Sequence, residues 1–315
     1  MPKPVVLQVK DFPEWDQTPL DVAFDMRKLY EAPDTAAFLA QHGPQVQAIA
    51  TRGGVGADRA LIEACPNLEM IAVYGVGYDA VDLDACRAQG VRVSNTPDVL
   101  TKDVADLGVA MMLCLSRQMI AAEAWVRSGN WQAKGGFPLS QRIFGRKAGI
   151  LGLGRIGFEV GRRLVGFDMD IAYCDVAAKP FAGDWSFVPD PVQLARQSDV
   201  LFVTLAASAE TRHIVGPQVI AALGAEGMVV NISRASNIDE DALLDALENR
   251  TLGGAALDVF DGEPAINPRF LSLDNVLLQP HHASGTVDTR KDMGRLMRDN
   301  LTAHFAGKAL LTPVL

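Results

Sequence analysis

Cysteine is scarce here. The 315 residues hold four, Cys65, Cys86, Cys114 and Cys174, far apart and without a C-x-x-C pair. That excludes a disulfide framework and a paired-thiol metal or redox motif, and it implies reduced core thiols and a cytoplasmic address. Long apolar runs are missing too. The most hydrophobic helix candidate, residues 109–115, is a fragment of the roughly 18 residues a membrane span needs. No long apolar core precedes Lys10 and Asp11, so no secretory signal is read. The net charge of -9 has no compensating basic run, which argues against a nucleic-acid partner. There is no internal repeat, low-complexity tract or flexible linker, and no second histidine pair at ligand spacing, so no metal is expected.

What remains is a chain long enough for two domains, with 49% hydrophobic residues to fill their cores. Strand-like runs at 5–9, 46–50, 68–74 and 91–94 alternate with helix-like segments, and prolines 13 and 19 read as a loop. This alternation predicts a parallel sheet with helices on both faces. A long apolar-faced helix is expected over 101–119, continuing over 121–131. Six further strands are expected from Ala148 to Leu278, then one amphipathic helix over 286–305 that folds back onto the first lobe.

The central stretch is Lys147–Gly157. A short apolar run ends in Gly152-Leu153-Gly154-Arg155-Ile156-Gly157, and Val160, Leu164 and Val165 follow at helical spacing. Gly152 suits a tight turn, Gly154 a close approach of pyrophosphate to the backbone, and Gly157 close helix–strand packing. The helix amides and dipole would hold phosphates. A second strand ends at Asp175, eighteen residues past Gly157, where a carboxylate meets adenosine ribose hydroxyls. Dinucleotide binding is the reading; a structural turn is the alternative.

Polar groups then follow the later strands: Ser233-Arg234, Asp258 with Glu263, and His281-His282 after Pro280. A doubly wound sheet gathers such loops at one edge, where an arginine, a carboxylate and an imidazole form a proton-transfer and anion-binding set. Singly, each has a plainer reading: a solvated arginine, a turn glutamate before Pro264, histidines capping a strand. His42, His213 and His304 read as surface or packing histidines.

Several segments carry a resemblance. They are 95–97 (Asn-Thr-Pro), 104–107, the glycine turn, Asn231-Ile232-Ser233-Arg234, Asp258–Pro264 and Pro280–Thr286. In this order, over nearly the whole chain, they are similar to the D-isomer-specific 2-hydroxyacid dehydrogenases, in the branch of glyoxylate, hydroxypyruvate and hydroxyphenylpyruvate reductases. The resemblance implies two Rossmann-like, doubly wound parallel-sheet α/β domains with an active-site cleft between them. The substrate domain would be 1–98 plus 287–315, and the NAD-binding domain 99–286.

It also implies roles. Arg234 would grip the substrate's carboxylate and keto oxygen, a task for a planar fork. His281 would be the acid/base, and Glu263 would orient its ring and favour its protonated form. The amides around Val76 and Gly77 would hold the substrate carboxylate. Cofactor contacts would come from Thr101, Gly152, Gly154, Arg155, Ile156, Gly157, Asp175, Thr204, Leu205, Ile232, Ser233, Asp258, His281 and Ser284. A homodimer paired through the cofactor lobe is implied as well.

Two departures stand out, Asp175-Val176 in place of the Ser-Arg or Gly-Arg of NADPH-preferring members, and Thr51-Arg52-Gly53-Gly54; His282 also falls where the family usually has an apolar residue. A carboxylate at 175 would repel a 2′-phosphate by about 4 kcal/mol at about 4 Å and an effective dielectric near 20, partly offset by Lys179. NADH is therefore the expected cofactor. Arg52 is a candidate for a second polar contact to substrate. The expected reaction is reduction of a small 2-keto acid, with an NAD-sensing corepressor-like binder or a phosphite-type dehydrogenase as alternatives.

Overall fold

Two separate parallel sheets are built from these runs. The computed structural model describes residues 2–315, and the chain divides into one unit of Met1–Leu100 with Ser284–Leu315 and another of Thr101–Ala283. The divisions fall after Leu100 and Ala283, where the sequence placed them after 98 and 286.

In the first unit the strands are β1 (Val5–Gln8), β2 (Asp25–Lys28), β3 (Ala48–Arg52), β4 (Met70–Tyr74) and β5 (Arg92–Ser94). They lie in the order β2-β1-β3-β4-β5, all parallel. The helices are α1 (Glu14–Ala23), α2 (Thr35–His42), α3 (Arg59–Glu63) and α4 (Leu83–Gln89). Asp34, Asp58 and Asp82 cap the last three, each accepting from an amide of the first turn.

The expected loop at Pro13 and Pro19 is instead α1, with Pro19 inside it. Pro19 removes the bond to the carbonyl of Trp15. The helix persists because Leu20 is buried on its inner face and Asp16 there accepts from the Tyr74 hydroxyl at 3.3 Å, so tertiary contacts override the local breaker.

The second unit opens with α5 (Thr101–Ser116), α6 (Met119–Arg127) and α7 (Asn130–Lys134), ending the first helix three residues short of expectation. Then come β6 (Lys147–Leu151), α8 (Arg155–Leu164), β7 (Asp170–Cys174), β8 (Ser186–Phe187), α9 (Pro191–Arg196), β9 (Val200–Val203), α10 (Pro217–Leu223), β10 (Met228–Asn231), α11 (Glu240–Glu248), β11 (Gly254–Leu257) and β12 (Val276–Leu278). The order β12-β11-β10-β9-β6-β7-β8 is doubly wound, with its switch point between β6 and β9. It has seven strands, one more than expected; the two-residue edge strand β8 has no apolar pattern to announce it. β9, β10 and β11 are buried along their whole length, as sheet strands covered on both faces must be.

The chain returns to the first unit as α12 (Val287–Phe305), capped by Thr286 and packed on β4 and α1. Each unit has its own apolar core. Among the described residues no single helix is long and apolar enough to cross a membrane; α5 and α6 together reach the length but are bent by 59°.

Candidate active site

The glycines of the central turn earn their places by contact. Gly152 sits at φ +97, and a Cβ there would lie 2.8 Å from the amide nitrogen of Leu205. A Cβ on Gly157 would meet the Gly152 carbonyl at 2.3 Å and the Thr204 hydroxyl at 2.8 Å. Thr204 Oγ1 donates to that carbonyl at 2.7 Å, tying β9 to the turn at the switch point. Around Gly154 the space is open, with nothing within 4 Å of an added Cβ.

Gly154 is the N-cap of α8, without a side-chain cap, and the first turn, which holds Arg155 and Ile156, contains no acidic residue. Uncapped amides facing an open cradle, at the positive end of a ten-residue helix, fit a pyrophosphate. Asp175 stands beside them at the end of β7. Leu153 N donates to its Oδ2 (2.9 Å), Val176 N to its Oδ1 (2.7 Å), and Lys179 Nζ pairs with Oδ1 at 2.9 Å. These residues fit a dinucleotide.

The ends of β10, β11 and β12 carry the remaining groups. Asn231 Oδ1 accepts from the amide and hydroxyl of Ser233, both at 3.0 Å, and its Nδ2 donates to the Arg234 carbonyl at 3.0 Å. Asn237 Nδ2 reaches both Ser233 Oγ and the Leu205 carbonyl, at 3.1 Å each. The Arg234 loop is thus fixed from beneath by two buried amides.

Asp258, 1% exposed, accepts the amides of His282 and Ala283, each at 2.9 Å. Burial pushes its carboxyl above the usual range, against those two bonds. The bonds shape the loop in which His281 takes a left-handed backbone, φ +50.

His281 Nδ1 lies 2.6 Å from Glu263 Oε2, while Glu263 Oε1 accepts from Phe260 N at 2.8 Å. Burial works to raise the Glu263 carboxyl, but the His281 bond, the Phe260 amide and the charges of His281 and Arg234 hold it below its ordinary value. An ionised carboxylate only accepts, so Nδ1 carries the hydrogen and Nε2 is the nitrogen outside this bond. Phe260, Pro264, Ile266 and Leu278 line an apolar cavity with this pair in its wall.

Arg234, Glu263 and His281 are therefore brought together, as are the glycine turn, Thr204 and Leu205. Ile232 packs against Gly108 of α5, and Thr101, buried, opens that helix. Ser284 begins the segment returning to the first unit.

Within the first unit, Gly75 N donates to Thr96 Oγ1 (3.0 Å) and Asn95 Nδ2 to the Val76 carbonyl (2.8 Å). Among the described residues no acceptor takes the amides of Val76 or Gly77. A Cβ on Gly53 would strike the Gly77 carbonyl at 2.6 Å, so the turn carrying Arg52 packs on this one. The Arg52 guanidinium is held by the Asp11 carbonyl and lies 3.5 Å from its carboxylate.

Sequence reasoning gave no role to Asn231, Asn237, Asn95, Thr96 or Asp11. The first four stand in or beside the motifs, at the ends of β5 and β10 or a few residues beyond, and a polar side chain there was the available signal. Asp11 lies 41 residues from Arg52 and left none.

A doubly wound sheet with a phosphate cradle at its switch point, and an imidazole–carboxylate pair in the loops after β11 and β12, is an arrangement that nicotinamide-dependent oxidoreductases use. Comparison with known proteins makes this particular. The D-isomer specific 2-hydroxyacid dehydrogenase NAD binding domain matches residues 109–283. The chain is 42% identical over 309 residues to glyoxylate/hydroxypyruvate reductase A of Arabidopsis thaliana, covering 98% of each. Among solved structures, a 2-hydroxyacid dehydrogenase from Ketogulonicigenium vulgare Y25 superposes with a TM-score of 0.95 at 68% identity, over 100% of this chain and 99% of that one. An NADPH-dependent glyoxylate/hydroxypyruvate reductase from Sinorhizobium meliloti, in complex with NADP and malonate, gives 0.92 at 38% identity, over 99% and 97%. The chain belongs to the D-isomer specific 2-hydroxyacid dehydrogenases, oxidoreductases acting on the CH–OH group.

Proposed function

We propose that the protein reduces small 2-keto acids, glyoxylate and hydroxypyruvate first and aryl pyruvates next, to D-2-hydroxy acids, and catalyses the reverse oxidation. The carrying observation is the 2.6 Å contact between Glu263 and His281 Nδ1, with the Arg234 charge acting on the same carboxylate. His281 Nε2 delivers a proton to the keto oxygen while Arg234 holds that oxygen and the substrate carboxylate. Glu263 keeps the ring oriented and offsets its positive charge. The unclaimed amides of Val76 and Gly77 also donate to the substrate carboxylate, and Arg52 donates to a further polar group of the substrate.

The reduced nicotinamide, when bound, supplies the hydride; the protein contributes position and charge. Gly152 to Gly157 hold the pyrophosphate, Asp175 holds the ribose and makes NADH the preferred form, and Thr101, Thr204, Leu205, Ile232, Ser233, Asp258 and Ser284 line the rest. In this reading residues 101–283 are the cofactor domain and the remainder the substrate domain, in a cytoplasmic homodimer.

Exposed Met119, Ile120, Val126, Trp131 and Leu139 on and after α6 and α7 support pairing through the cofactor domain. Light scattering should then give twice the 33.8 kDa chain mass; a monomer at micromolar concentration would rule the pairing out.

Steady-state oxidation of NADH and NADPH over a panel of 2-keto acids tests the central reading. Turnover with glyoxylate or hydroxypyruvate, faster with NADH, is expected. Cofactor binding without turnover on any keto acid would leave the NAD-sensing alternative, and turnover on phosphite alone would leave the other.

A further inference from the structure

We propose that Lys179 is the receptor for the 2′-phosphate of NADPH, and that its ion pair with Asp175 sets how strongly the protein discriminates against that cofactor. This rests on the dinucleotide reading of the glycine turn.

An ionised carboxylate has about four acceptor positions. Three of those on Asp175 are already used: Val176 N and Lys179 Nζ on Oδ1, Leu153 N on Oδ2. One position, on Oδ2, remains for a ribose hydroxyl. The charge is also compensated. With side chains 13% and 25% exposed, Asp175 and Lys179 sum to zero at the point where the ribose edge arrives. A lone carboxylate would repel a 2′-phosphate; in this pair the ammonium offsets part of that repulsion.

Lys179 is built to change partners. Its backbone amide donates to the Tyr173 hydroxyl at 2.8 Å, and Tyr173 is buried with its ring 5.5 Å from that of Phe187, so the Lys179 backbone is anchored. The flexible four-carbon stem beyond it can turn the ammonium from Asp175 to a phosphate oxygen on the same ribose edge, exchanging one charge-assisted bond for another. The exchange does not strand Asp175, which keeps the Leu153 and Val176 amides. Val176, 97% exposed, follows Asp175 and brings no cation of its own. NADH binding leaves the ion pair closed and NADPH binding opens it. The preference for NADH is therefore modest in the native protein, and it becomes strict once the lysine is gone.

Fluorescence titration of the full chain with NADH and NADPH separately tests this without turnover, alongside Lys179→Met and Lys179→Arg and with melting temperatures recorded. The native protein should bind both cofactors, NADH the more tightly. Lys179→Met should weaken NADPH at least about tenfold, the scale of one charge-assisted bond, while NADH changes less than about threefold. Lys179→Arg, which keeps the cation, should retain most NADPH affinity. Equal loss of both cofactors in Lys179→Met, no loss of either, or a native protein that binds NADH and not NADPH would overturn the proposal. A native protein that binds neither overturns the dinucleotide reading itself, and the proposal with it.

Discussion

Both oxygens of Glu263 are engaged by the segments that shape the acid/base loop, one by the Phe260 amide and one by the His281 ring. The neighbouring histidine makes its hydrogen bond through its backbone, the His282 amide donating to Asp258. His281→Ala should therefore lower kcat by about a hundredfold or more, the usual weight of a positioned proton donor, with NADH affinity retained. His282→Ala should stay within about threefold of the parent on the same scale; equal losses in stopped-flow reduction of glyoxylate would mean that the wrong imidazole has been assigned. Glu263 also links stability to pH. Its folded carboxyl lies below the ordinary 4.5, so its contribution is complete above that value and is lost as pH falls through the lower folded one. In urea titrations, the stability gap between the native protein and Glu263→Gln should be widest near neutrality and shrink as the pH drops below 4.5. The residues proposed for chemistry were legible because they follow apolar runs within a few residues, with Glu263 and His281 beside proline. Their supports were not. Asp258 was read as a cofactor contact, whereas its hold on the His282 and Ala283 amides, 24 and 25 residues away, falls on backbone groups that have no identity in the sequence.

Among the elements, buried strands were read well and marginal ones poorly. β9, β10 and β11 are continuous apolar runs, whereas β2 (Asp25–Lys28) is half-buried along its length and β8 is two residues long. Edge strands have one neighbour and need no apolar pattern, which is why both went unseen. Helix α1 differs from the expected loop for another reason, since the burial of Leu20 and the Tyr74–Asp16 hydrogen bond outweigh Pro19. The glycine turn is the opposite case, where the local pattern dictates the tertiary contact. A Gly157→Ala change sets a methyl 2.3 Å from the Gly152 carbonyl and 2.8 Å from Thr204, and backbone has to move. The expected result is a loss of about 1–3 kcal/mol in denaturant unfolding together with weakened NADH binding. Unchanged affinity would show that the helix can shift without disturbing the cradle.

For the whole molecule, the two units differ in how they are assembled from the chain. The second is continuous from Thr101 to Ala283 and contains a complete core. The first needs both of its segments: α12 covers β4, the Val314 amide donates to the Val93 carbonyl, and Pro313 bridges Ser94 beside β5. Asn300 and Thr312 are bonded to each other, and Thr312 Oγ1 to the Asn95 carbonyl behind the Val76–Gly77 turn. A fragment of residues 101–283 should therefore fold and protect its amides from exchange, while one of residues 1–100 should not. A cooperative melt of the shorter fragment alone would contradict this.

During synthesis the same arrangement imposes a wait. The opening hundred residues leave the ribosome lacking the helix and the closing residues that finish their sheet. The intervening 183 residues, 101 to 283, must be made before those pieces begin to emerge, which at about 5–20 residues per second takes roughly ten to forty seconds. Until then β4 and β5 have an uncovered flank, and the surface proposed to greet the keto acid comes into being last.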